Sequence, residues 1–79
     1  MAKHHPLTCA EVKTILKNLG FSPRPQKGTS HEHWVREGNP FRKVTVDCPK
    51  APFSQDLIGM MAWQDGVTKK QFYAALKKN

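Results

Sequence analysis

The sequence predicts a small α+β domain in which one antiparallel sheet of two or three strands is covered on one face by helices. Three observations predict it. A capped, helix-periodic segment opens the chain, an alternating β-type stretch occupies its middle, and two further capped segments close it. With 79 residues there is room for a single domain over 1–79, residues 1–7 of it a flexible lead-in, and for a core too small to enclose a deep cofactor site. A large multi-lobed enzyme is excluded on length alone.

Thr8-Cys9-Ala10-Glu11 has the form of a capping box: the Thr8 hydroxyl closes one orphan amide of a helix start and Glu11 reaches back to another. Val12, Ile15, Leu16 and Leu19 then recur on one helical face, Lys13 and Lys17 take the other, and Gly20 supplies a left-handed stop. Phe21 to Lys27 contains Pro23 and Pro25, which cannot donate to a ladder, so this stretch is an edge strand or an extended arm. After the turn-like Gln26 to Ser30, His31-Glu32-His33-Trp34-Val35-Arg36 is rich enough in aromatic and branched residues to be a strand. Glu37-Gly38-Asn39-Pro40 breaks the chain, and Val44 and Val46 alternate with Lys43 and Thr45 in a half-buried strand that pairs with the preceding one as a hairpin. Trp34 and His33 fall on opposite faces, with Trp34 the one suited to the core.

Phe53 before a cap at Ser54, with Ile58 at the fourth helical position, has the pattern of a hydrophobic staple, and the helix it opens runs to about Asp65 with Gly66 as its end. Val67, Thr68, Gln71 and Phe72 repeat the device and start a short C-terminal helix. Met60, Met61 and Trp63 lie at helical spacing and read as core or as a contact for a partner protein, and Lys69, Lys70, Lys77 and Lys78 as a solubilising face.

Thirteen Lys and Arg against six Asp and Glu leave a net charge of +7, a field that suits RNA, DNA or an acidic protein as partner. No stretch approaches the ~20 apolar residues of a membrane span, and the lysine near the N-terminus is followed by no apolar stretch of a secretory signal, so the expected location is the cytoplasm. Cys9 and Cys48 are accordingly expected as free thiols. They form no CxxC pair, and no metal is expected at them or at His31 and His33.

Gly28-Thr29-Ser30-His31-Glu32-His33 is the one titratable cluster that does not read as a solvated face. An imidazole at the end of a strand can exchange protons near neutrality, while a glycine and two small residues let a phosphate approach backbone amides. The run Lys27-Gly28-Thr29-Ser30-His31-Glu32-His33-Trp34-Val35, then Val44-Thr45-Val46, then Leu57-Ile58 through Gln64-Asp65-Gly66-Val67 and Gln71-Phe72-Tyr73, resembles the HicA toxin family of mRNA interferases over essentially the whole chain from Thr8 onward. That resemblance implies a fold like a double-stranded-RNA-binding domain, metal-independent endoribonuclease activity without a cofactor, and restraint by a HicB-like antitoxin. It places the catalytic histidine on His31, within a Gly-Ser-His-type element that here reads Thr29-Ser30-His31. The chain departs from the family pattern at His33, where an apolar residue is usual, and at Val46-Asp47-Cys48-Pro49, where the family often carries a histidine.

A metal-free ribonuclease needs a base for the ribose 2′-hydroxyl, an acid for the leaving 5′-oxygen and cations for the crowded phosphorane. His31 is the expected base, its neutral form favoured by surrounding lysines and arginines. Tyr73, Lys27 and His33 are the candidate acids. Gly28, Thr29 and Ser30 shape the turn, and Lys27, Arg24, Arg42 and Lys43 are the expected phosphate contacts. The toxin is expected to be a monomer when free. The alternative is a non-catalytic RNA-binding module of the same fold, in which His31 is only a contact.

Overall fold

The computed structural model describes residues 5–24 and 31–77. In chain order these form helix α1 (Cys9–Asn18), strands β1 (Ser22–Arg24), β2 (His31–Arg36) and β3 (Arg42–Asp47), a 3₁₀ turn (Cys48–Lys50), helix α2 (Gln55–Asp65), helix α3 (Lys69–Ala74) and a final 3₁₀ turn (Ala75–Lys77). The sheet has the order β1-β2-β3 and is antiparallel throughout. The expected α+β class and its edge strand around Pro23 are therefore present, and the Lys27–Ser30 turn lies outside the described residues.

Each helix begins where its side chains can close its orphan amides. Thr8 Oγ1 accepts from Glu11 N at 3.1 Å and Glu11 Oε1 accepts from Thr8 N at 2.9 Å. Thr68 and Gln71 repeat this at 3.0 and 2.9 Å, and Ser54 Oγ caps Leu57 N at 3.3 Å. α1 and α2 end on glycines with φ of +93° at Gly20 and +87° at Gly66, where a Cβ would crowd the backbone. At Gly66 a Cβ would also lie 2.9 Å from Arg42 Cζ, so the end of that arginine side chain would have to shift.

Strand alternation divides the sheet. Trp34, Val44 and Val46 face the helices and pack with Val12, Ile15 and Leu16 of α1, Ile58, Met61 and Ala62 of α2, and Phe72 of α3 in one buried cluster. Two expectations change here. Leu7, read as part of a flexible lead-in, is buried and pairs with Phe53, whose N–H donates to the Leu7 carbonyl at 2.8 Å; an apolar side chain that can reach the core docks the backbone that carries it. Cys9 and Cys48, expected as free thiols, form a disulfide with Cα atoms 5.2 Å apart, because the start of α1 and the end of β3 meet at one edge of the core. Of Met60, Met61 and Trp63 only Met61 enters the core, while Met60 and Trp63 remain 55% and 76% exposed. No helix among the described residues is long and apolar enough to cross a membrane.

At the end of the sheet remote from His31, Arg36 stitches the layers together. Its guanidinium donates to the Leu19 carbonyl at 3.1 Å and the Asp65 carbonyl at 3.4 Å, and lies 5.0 Å from the Phe21 ring centroid. The Asp65 carboxylate beside it is wholly inaccessible to solvent, with Oδ1 3.8 Å from Arg36 Nη1.

Candidate active site

The β2–β3 register pairs His31 with Asp47, His33 with Thr45 and Trp34 with Val44. Because Trp34 and Val44 point into the core, the first two pairs share the opposite face. His31 is thus held at the first position of β2, its side chain 53% exposed, with Nδ1 3.8 Å from Asp47 Oδ2. The charge nearest this ring among the described ion pairs is a carboxylate, whereas the sequence led one to expect lysines and arginines around it. An acidic neighbour at Nδ1 orients an imidazole so that Nε2 faces outward, the arrangement used where histidine acts as a base.

After Asp47 the 3₁₀ turn, with Pro49 in its first turn, swings the chain toward α2. A cleft of about 190 Å³ lies between the end of β3 and α2. His31, Thr45, Asp47 and Lys50 form its polar side, Leu57, Met60 and Met61 its apolar wall, and Gln64 its far end. Gln64 also reaches the sheet, its Oε1 accepting from Thr45 N at 3.3 Å, which satisfies a donor on the β3 edge that no further strand covers. His33 lies two residues along from His31 and contacts Thr45 Oγ1 through Nδ1 at 3.1 Å.

The other expected site residues that the structure describes are dispersed. Gly28, Thr29, Ser30 and Lys27 lie outside the described residues. Arg42 opposes Arg36 at the far end of the hairpin, five residues or about 17 Å along the strand from Asp47, and its guanidinium sits against Gly66. Lys43 is exposed near that same end. Arg24 pairs in register with His33, but its guanidinium donates to Glu37 Oε2 at 3.2 Å, drawing it away from His31. Tyr73 is on α3, where its hydroxyl donates to the His5 carbonyl and accepts from Gln55 Nε2 at 3.1 Å. It does not line the cleft, so His33 is the one described acid candidate on the His31 face.

Three residues of the cleft carry functional weight that the sequence reading did not assign. Asp47 appeared only as a departure from a family pattern; the hairpin register makes it the direct neighbour of His31. The sequence places the break at Glu37–Pro40; in the structure it extends through Phe41, and that one residue pairs Arg36 with Arg42 and hence His31 with Asp47. Lys50 and Gln64 reach the cleft through tertiary packing and carry no local signal. No family model, curated protein or solved structure matches the chain, so the functional reading rests on the residues and their geometry.

Proposed function

We propose that the chain is a metal-independent endoribonuclease of the HicA type, with a fold like that of double-stranded-RNA-binding domains, acting on messenger RNA in the cytoplasm and restrained by a HicB-like antitoxin. The observation that carries this reading is the His31–Asp47 pair, 3.8 Å apart, with the His31 ring exposed and Asp47 largely buried beside it in a cleft that Lys50 also lines. The helix, three-strand, helix order supports the fold assignment, and the net charge of +7 supports a polyanionic substrate.

In this reading Asp47 holds the His31 ring at Nδ1, and Nε2 takes the proton of a ribose 2′-hydroxyl. The 2′-oxygen attacks the adjacent phosphorus, and the bond to the 5′-oxygen breaks. Lys50 stabilises the added negative charge of the phosphorane. His33, on the same face, returns a proton to the leaving 5′-oxygen. The products are a 2′,3′-cyclic phosphate and a 5′-hydroxyl.

The test is incubation of the purified protein with RNA in EDTA, with analysis of the new ends. Cleavage leaving cyclic phosphate is expected. His31→Ala should lower the rate by about 10²–10⁴-fold and Asp47→Asn by a smaller factor, both with an unchanged circular-dichroism spectrum and retained RNA binding. Salt-sensitive binding by the wild-type protein without any cleavage would replace the nuclease reading with the RNA-binding module.

A further inference from the structure

We infer that the cleft between β3 and α2 is a nucleobase subsite that selects keto bases, uracil and guanine, over the amino bases cytosine and adenine, at the nucleotide whose 2′-hydroxyl faces His31. The inference rests on the reading of this chain as an RNA-cleaving domain and adds the specificity of that same site.

The first support is size and lining. At about 190 Å³ the cleft falls below the ~300–1,000 Å³ of pockets for drug-sized ligands and suits one unstacked ring system. Leu57, Met60 and Met61 form its wall, and methionine thioethers make favourable contacts with aromatic rings of any orientation. Met60 is 55% exposed, an apolar surface that a bound base would cover. Single-stranded RNA is commonly read in this way, by splaying a base against apolar side chains and hydrogen-bonding its edge.

The second support is polarity. A backbone N–H can only donate, so the Gln64 atom that meets Thr45 N at 3.3 Å is the carbonyl oxygen. The amide orientation follows: the carbonyl oxygen is turned to the sheet, and the NH₂ is the end the side chain offers a ligand. The bidentate pairing of glutamine with adenine requires that same carbonyl oxygen to accept from the adenine amino group, and here one of its two lone pairs is taken by Thr45 N, which holds the amide in place. Lys50, at the polar side of the cleft, is likewise a donor without acceptor capacity. Donors at both places match uracil O4 or guanine O6 and oppose the amino groups at the corresponding positions of cytosine and adenine.

The experiment uses oligodeoxyadenylates carrying a single ribonucleotide, uridine, guanosine, cytidine or adenosine, so that one 2′-hydroxyl and one test base are present. Cleavage is measured with the wild-type protein and affinity with His31→Ala. The keto bases should exceed the amino bases by about tenfold, the discrimination expected of one well-placed base-edge hydrogen bond. Gln64→Glu keeps an acceptor for Thr45 N, so the sheet edge stays satisfied, but presents an acceptor to the base, and the order should reverse. Equal values for all four bases, a preference for amino bases, or a keto preference that survives Gln64→Glu would overturn the subsite. Cleavage without base preference leaves the nuclease standing and removes the subsite. Keto-selective binding without cleavage by the wild type does the opposite.

Discussion

Replacing Asp65 with asparagine should convert a pH-dependent stability into a flat one, and the structure sets the size of the change. The carboxylate is 0% exposed, and neither oxygen has a hydrogen-bond partner among the described residues. Burial raises its pKa from 3.8 to about 6, against the lowering effects of Arg36 and then Arg42. A raised carboxyl pKa means that the folded chain holds a proton which the unfolded chain has released. The resulting stabilisation is complete below pH 3.8 and is lost as pH rises through about 6. Two units correspond to about 3 kcal/mol, a large part of the ~4–12 kcal/mol expected for a domain of this size. The assay is urea unfolding of wild type and Asp65→Asn at pH 4, 5, 6 and 7, followed by fluorescence of the buried Trp34. Other titrating groups cancel in the difference. The asparagine variant should gain about 2 kcal/mol relative to wild type between pH 4 and 7, the part of the shift that lies within that range. A difference that stays constant, or that shrinks with rising pH, would refute the reasoning and show that Arg36 and Arg42 fully compensate the desolvation.

Gly66→Ala places a Cβ 2.9 Å from Arg42 Cζ at a φ of +87°; a loss of about 1–2 kcal/mol from the left-handed backbone alone should appear as a lower urea midpoint. Phe72→Ala removes a fully buried ring from the centre of the helix layer and should cost about 3–5 kcal/mol by the same assay. Reducing the Cys9–Cys48 disulfide reopens a loop with a sequence separation of 39, and the thermal midpoint should fall in step with a loss of about 4 kcal/mol on the chain-entropy account.

Local chemistry made most of the fold legible. The two capping boxes, the glycine stops and the alternation of Val44 and Val46 each act over a few residues, and each appears where its residue types require it. Contacts between distant segments were not legible. Nothing near Leu7 says that it bridges to Phe53, and the two cysteines, read as free thiols from the expected compartment, meet only because α1 packs against the end of β3. The candidate site divides in the same way. His31 stood out as a titratable group at a strand end, whereas Arg24 and Arg42, nearby in sequence, are drawn off by Glu37 and by the Asp65 end of the sheet.

The exposure of His31 is itself a consequence of the core. Strand side chains alternate, so the burial of Trp34 against the helices sends His33 and His31 to the opposite face, and burial of Val44 and Val46 sends Thr45 and Asp47 there with them. A slip of one residue in this hairpin would move Trp34 into solvent and His31 toward the helices, at the cost of exposing the largest side chain of the sheet. The apolar residues therefore specify the geometry of the polar pair although none of them touches it. The same alternation puts Thr45 at the β3 edge where Gln64 can reach its amide, so one hydrogen bond both satisfies the sheet edge and turns the glutamine carbonyl oxygen toward it.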